Sequence, residues 1–169
     1  MSCLATVVAV TAACGDDGGS GGGATASATF MGTNGQTVTG TAKFTKSGST
    51  VSLTVTITAA PVGAHGIHIH NVASCGNNGT DAGPHWDDVD TGAGGHHLPP
   101  TDGHLGDLGN ITIAAGGTGT LTYSNPAWTL GDGAATDVVP RAIIFHEKMD
   151  DGTMPSAGAR WGCALIAMD

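Results

Sequence analysis

The stretch STVSLTVTIT, residues 49–58, alternates without interruption: Val51, Leu53, Val55 and Ile57 occupy every second position, with serine or threonine between them. Successive side chains of a β-strand point to opposite faces, so this pattern buries one face and wets the other, which a helical period could not do. Similar short runs occur at ATASATFMG, QTVTGTAKFT, GAHGIHIH, NITIAAG, TGTLTYS, PRAIIFHE and RWGCALIAM, separated by glycine, asparagine and proline turn signals. Together they predict an all-β domain of eight antiparallel strands, enough for a sandwich or a closed barrel. The 29 glycines and a charged fraction of only 11% fit many turns and little helix.

The chain's start follows different rules. MSCLATVVAVTAAC, residues 1–14, is an apolar run ending in small residues before Cys14, and GDDGGSGGG follows at once. The run reads as an export segment, with Cys14 placed where a bacterial lipoprotein is lipidated. Residues 15–23 then form a flexible Gly/Ser-rich linker, and 24–169 the folded domain. A buried strand is the competing reading of the first segment. No later stretch is apolar and long enough to span a bilayer. The net charge of −9 argues against nucleic acid or an anionic membrane surface as the main partner, and any anionic substrate would need a local positive site.

Between Asn71 and Asp107 the alternation vanishes into a stretch rich in Gly, Asp, His and Pro, and connections of that length in a compact domain are usually functional. All eight histidines lie between His65 and His146, most of them in or beside this loop. His68 and His70 are one residue apart in a β-run, so both imidazoles face the same side of the sheet and could grip one ion. Taken alone, such a pair is more often incidental. The loop adds His85, His96, His97 and His104, then Asp107 three residues later, and His146 supplies a further candidate at the end of a strand. These are enough ligands for two metals.

The segments GIHIHN, AGPHWDD, HLPPTDGHLGDLGN, FHEKMDD and GARWGCALI resemble, in order and approximate spacing, those of copper/zinc superoxide dismutases of the bacterial, exported type. The resemblance runs from about Ala24 to the C-terminus. It implies an eight-stranded Greek-key β-barrel, immunoglobulin-like in its sandwich, with a long metal-binding loop. It makes His68, His70 and His146 copper ligands, His85 the imidazolate shared by copper and zinc, and His97, His104 and Asp107 the remaining zinc ligands. His96 is then a spare or surface residue and His65 a structural one. Three imidazoles and a carboxylate fill a tetrahedral zinc shell, which suits a structural ion, while an all-imidazole site suits redox-active copper.

The same resemblance makes Asp150 the carboxylate that accepts ring N–H groups from His68 and His97. Arg160 becomes the group that draws superoxide toward copper, against the plain alternative of a surface charge; Lys148 is as readily a solvated lysine. Cys75 and Cys163 become a disulfide, which suits an exported protein, and Cys3 leaves with the export segment. The activity implied is dismutation of superoxide to oxygen and hydrogen peroxide in the periplasm or cell envelope, with His85 handling a proton. A lipid anchor through Cys14 and a homodimer are both compatible with it. The rival reading is a barrel of the same kind that sequesters or delivers copper without efficient turnover. DGTMPSAGAR, residues 151–160, is shorter than the charged loop that eukaryotic family members carry there and is nearly uncharged, which counts against long-range steering of the substrate.

Overall fold

The computed structural model describes residues 23–87, 95–99, 103–153 and 157–169. The proposed export segment 1–14, the linker up to residue 22 and the lipidation candidate Cys14 lie outside the described residues.

The described chain is almost wholly β. Its strands are β1 (Thr25–Gly32), β2 (Thr39–Ser47), β3 (Thr50–Ala59), β4 (Gly63–His70), β5 (Asp107–Ile113), β6 (Gly119–Asn125), β7 (Ala142–His146), β8 (Arg160–Leu165) and β9 (Ala167–Met168). They pair in the order β5-β4-β7-β8-β1-β2-β3-β6, antiparallel throughout, and the two-residue β9 adds to β1. This is the expected eight-stranded antiparallel barrel, nearly closed between β5 and β6, and β9 continues the last of the eight sequence runs.

β3 shows how the alternation becomes packing. Val51, Leu53, Val55 and Ile57 are all buried, and the serine and threonines between them are exposed. Opposite them Ala42 and Phe44 of β2 turn inward, as do Ala26, Ala28 and Phe30 of β1. One apolar core fills the barrel, with Phe44 and Tyr123 packed about Trp128. Burying each large side chain stabilises the fold by roughly 1.5–3 kcal/mol.

β4 and β7 depart from the half-buried pattern, because every residue from His65 to His70 and from Ala142 to His146 is buried. Alternation still operates. Ile67, Ile69, Ile143 and Phe145 face the barrel core, while His68 and His70 take the other face opposite Ile144 and Ala142. That outer face is covered by the long connection between β4 and β5. Ala82, Ala142, Ile144 and Cys163 form a second apolar cluster beneath it, with Cys75 against them. The disulfide Cys75–Cys163 pins the connection to β8 across a separation of 88 residues.

Gly106 fixes where the connection touches the barrel. The Ile69 N–H donates to Gly106 O (2.8 Å), the Trp86 N–H to Ile69 O (2.8 Å) and the Gly106 N–H to Trp86 O (2.9 Å). A Cβ at residue 106 would collide with the Ile69 carbonyl, so only glycine admits this approach. Trp86 itself packs against Trp128 and has the Arg141 guanidinium 4.0 Å from its ring. His85 and Asp107, the neighbours of Trp86 and Gly106, are thereby brought against the histidines of β4.

Candidate metal centre

On the outer face of β4 and β7, four buried imidazoles converge. His68, His70, His85 and His146 each offer a ring nitrogen within 4.8 Å of the others'. β4 supplies the first two, the end of β7 supplies His146, and the connection returns His85 through an isolated bridge to His70. The His68 and His85 rings lie 4.0 Å apart between centroids.

Each ring is aimed by a bond on its other nitrogen. His68 Nε2–H donates to Asp150 Oδ2 (2.7 Å), His70 Nδ1–H to the Gly83 carbonyl (2.9 Å) and His146 Nδ1–H to the Gly158 carbonyl (3.4 Å). These bonds select the tautomer and leave His68 Nδ1, His70 Nε2 and His146 Nε2 buried, with no hydrogen-bond partner among the described residues. Desolvation dominates their titration. Burial lowers His68 to a pKa of about 4, against the raising effect of its Asp150 bond, and lowers His70 to about 2 and His146 to about 3. Three neutral imidazoles with unpaired, inward-facing lone pairs constitute a metal site.

A second group shares His68 and His85 with the first. His68, His85, His96 and Asp107 bring one ligand atom each within 4.8 Å of one another, all four buried. His85 Nδ1–H donates to Asp107 Oδ1 (2.8 Å), and His96 Nδ1 lies 3.0 Å from the same oxygen. Asp107 Oδ2 accepts the backbone N–H groups of His97 (3.2 Å) and His104 (3.0 Å), and His104 Nδ1 stands 3.5 Å away at the edge of the group. Burial opposes the charge on Asp107, but the His85 bond and neighbouring imidazoles outweigh it and lower its pKa. Burial likewise opposes charge on His96, yet the Asp150 and Asp107 carboxylates raise it on balance.

Two neighbouring histidines lie the other way round from the sequence expectation. His96, expected as a spare or surface residue, is buried between Asp107 and Asp150, whereas the side chain of His97, expected as a ligand and as Asp150's second partner, is exposed. Asp150 Oδ1 accepts His96 Nε2–H at 2.8 Å, so the carboxylate links His68 to His96. The His97 backbone N–H donates to Asp107 while its side chain faces solvent, and the neighbouring His96 ring is held inward by Asp107 and Asp150. Burial raises the Asp150 pKa, but its bonds to His68 and His96 more than offset this and hold the carboxyl well below the usual range.

Other expected residues stand as follows. Arg160 lines the same pocket, about 160 Å³ in volume, together with His68, His70, His85, His96 and His146, and it is the one lysine or arginine among the described lining residues. Its guanidinium donates to the carbonyls of Gly79 (2.6 Å) and Gly83 (2.7 Å). Lys148 is exposed. His65 lies below the site, with Nδ1 2.9 Å from the His146 carbonyl and Nε2 3.0 Å from that of Pro61. The carbonyls of Gly83 and Gly158, which aim two of the imidazoles, have no counterpart in the sequence reading because a backbone oxygen carries no residue-type signal.

The chain is also similar to known proteins. Residues 38–166 match the family described as copper/zinc superoxide dismutase (SODC). The chain is 32% identical over 138 residues to the extracellular superoxide dismutase [Cu-Zn] of Caenorhabditis elegans; the match takes in 75% of this chain and 60% of the relative's length. Among solved structures, the clock protein EA4 superposes with a TM-score of 0.75 at 24% identity, over 88% of this chain and 96% of that one, a likeness of fold.

Proposed function

The chain belongs to the copper/zinc superoxide dismutase family, and from that premise we propose that it converts two superoxide anions and two protons to oxygen and hydrogen peroxide. The observation that carries the proposal is the set of inward-facing, unpartnered nitrogens of His68, His70 and His146 in the pocket that Arg160 also lines.

Copper fits the all-imidazole group of His68, His70, His85 and His146, and zinc fits His85, His96 and Asp107 with His104 beside them. When bound, copper supplies a one-electron couple and zinc a fixed positive charge. The protein's own groups do the rest. Arg160 concentrates the anion in a chain whose overall charge opposes it. Asp150 holds His68 and His96 in fixed tautomers, tying the two ligand groups into one unit. His85, with Nδ1 facing Asp107, has Nε2 to take up a proton and deliver it to the departing peroxide.

An extracytoplasmic location fits the Cys75–Cys163 disulfide and the extracellular relative. Export through residues 1–14, a lipid anchor on Cys14 and a homodimer are parts of the same proposal. Mass spectrometry of the mature chain tests the first two, and sedimentation tests the third.

The decisive experiment is superoxide dismutation by the purified protein loaded with copper and zinc, run beside Arg160→Ala with metal content assayed in both. Fast turnover with one ion of each metal per chain, weakened in the variant, supports the enzyme. Both metals bound without turnover would instead identify a copper-sequestering module.

A further inference from the structure

Arg160 is held from two sides. Its guanidinium donates through Nη1 to the carbonyls of Gly79 (2.6 Å) and Thr80 (3.3 Å), and through Nη2 to that of Gly83 (2.7 Å). Its own carbonyl oxygen accepts Thr33 Oγ1–H (2.5 Å) and Asn34 Nδ2–H (2.8 Å), both from the turn between β1 and β2. The Thr33 N–H also donates to Trp161 O (2.8 Å).

The two grips are joined. The Asn34 N–H donates to Asn78 Oδ1 (3.3 Å), and Asn78 precedes Gly79, whose carbonyl receives the guanidinium. Asn34 and Asn78 have φ of 53° and 55°, a left-handed conformation that asparagine tolerates better than most residues. A closed ring of contacts therefore runs from the Arg160 carbonyl through Asn34, Asn78 and Gly79 to the Arg160 guanidinium.

The strand ladder alone would leave this arginine poorly defined. Arg160 opens β8 opposite His146, where the β7–β8 register shifts. At such an irregularity regular pairing lapses, and other groups must take up the backbone polar atoms. The carbonyl bonds to Gly79, Thr80 and Gly83 leave the Nε edge of the guanidinium fork uncommitted to them, an edge suited to a small anion.

We propose that Thr33 and Asn34 are positioning residues for Arg160: they fix its backbone and, through Asn78, the carbonyls that orient its guanidinium, and so set how strongly the pocket holds an anion. The proposal rests on the reading of Arg160 as the anion-attracting group.

Azide, titrated into the full chain loaded with copper and zinc and followed by copper(II) absorption, supplies a readout other than turnover. Thr33→Val with Asn34→Ala should weaken azide binding about fivefold, as expected for lost hydrogen bonds, while Thr33→Ser retains wild-type affinity and metal content is unchanged. In an Arg160→Ala background the same pair should have no further effect, because it acts through that side chain. In the metal-free protein, phenylglyoxal should modify Arg160 faster in the pair variant than in wild type, with Arg141 as internal reference. The exposed single variant Asn34→Ser, expected to give a smaller change in the same direction, covers the case in which the pair does not fold. Wild-type azide affinity in the pair and in Asn34→Ser, alongside weakened binding in Arg160→Ala, would overturn the positioning role and leave the Arg160 reading intact. An effect that persists without Arg160 also overturns it. Unchanged binding in Arg160→Ala itself would overturn the reading beneath.

Discussion

Asp150 Oδ2 lies 2.7 Å from His68 Nε2, although 82 positions separate the two residues in sequence. The carboxylate's other oxygen holds His96, so one side chain orients an imidazole from each ligand group. Asp150→Ala should therefore weaken retention of both metals, by about 10–100-fold for such an outer partner. Competition with a chromophoric chelator measures this, and loss of one metal alone would disprove the linkage.

The inward turn of His96 predicts an asymmetry between neighbours. His96→Ala should release zinc while leaving most copper bound, and His97→Ala, which keeps the backbone N–H to Asp107, should retain both. Metal analysis after dialysis decides it. Zinc loss in His97→Ala with retention in His96→Ala would reverse the assignment.

The Cys75–Cys163 bridge closes a span of 88 residues and anchors the segment whose carbonyls hold Arg160. Replacing both cysteines with serine should lower stability by about 4 kcal/mol on loop-closure grounds, seen as an earlier urea midpoint. The variant's azide affinity should fall as well, because Gly79 and Gly83 lose their anchor. Unchanged azide affinity in a folded variant would separate the disulfide from the anion site.

Acid should destabilise the metal-free protein before ordinary carboxylates titrate. His68, His70 and His146 stay neutral in the folded state down to about 4, 2 and 3, whereas in the unfolded chain they bind protons below about 6.5. The unfolded state then holds more protons, so stability falls as pH drops below 6.5 and continues to fall toward 3. His96, raised by its carboxylates, works in the opposite direction but is one group against three. The lowered Asp107 and Asp150 add to the acid loss from the ordinary carboxylate range downward, where the unfolded chain protonates them first. Urea midpoints of metal-free protein at pH 7.5 and 5 test this, and an equal or higher midpoint at pH 5 would refute it.

Much of the barrel was legible because the alternation in β3 and its neighbours reports one wet and one dry face directly. β4 was legible in part. Its HxH spacing puts His68 and His70 on one face, but whether that face met solvent or a covering loop could not be read locally. The pairing of Cys75 with Cys163 and the roles of Asp150 and Arg160 came from resemblance, since nothing in their immediate surroundings distinguishes them from turn or surface residues. Thr33 and Asn34 gave no signal at all, being an ordinary turn until Arg160 is folded against them.

What the sequence determined by itself is therefore the period: which strands exist, which of their faces are apolar, and that His68 and His70 share the opposite face. What the tertiary structure decided is the phase of everything without a period. His96 rather than His97 faces inward, where its ring meets Asp107 and Asp150, and Asp107 is placed by the tight approach of Gly106 to Ile69. A loop lacks a repeating hydrogen-bond ladder, so the direction of each side chain is set by contacts with residues far away in the chain.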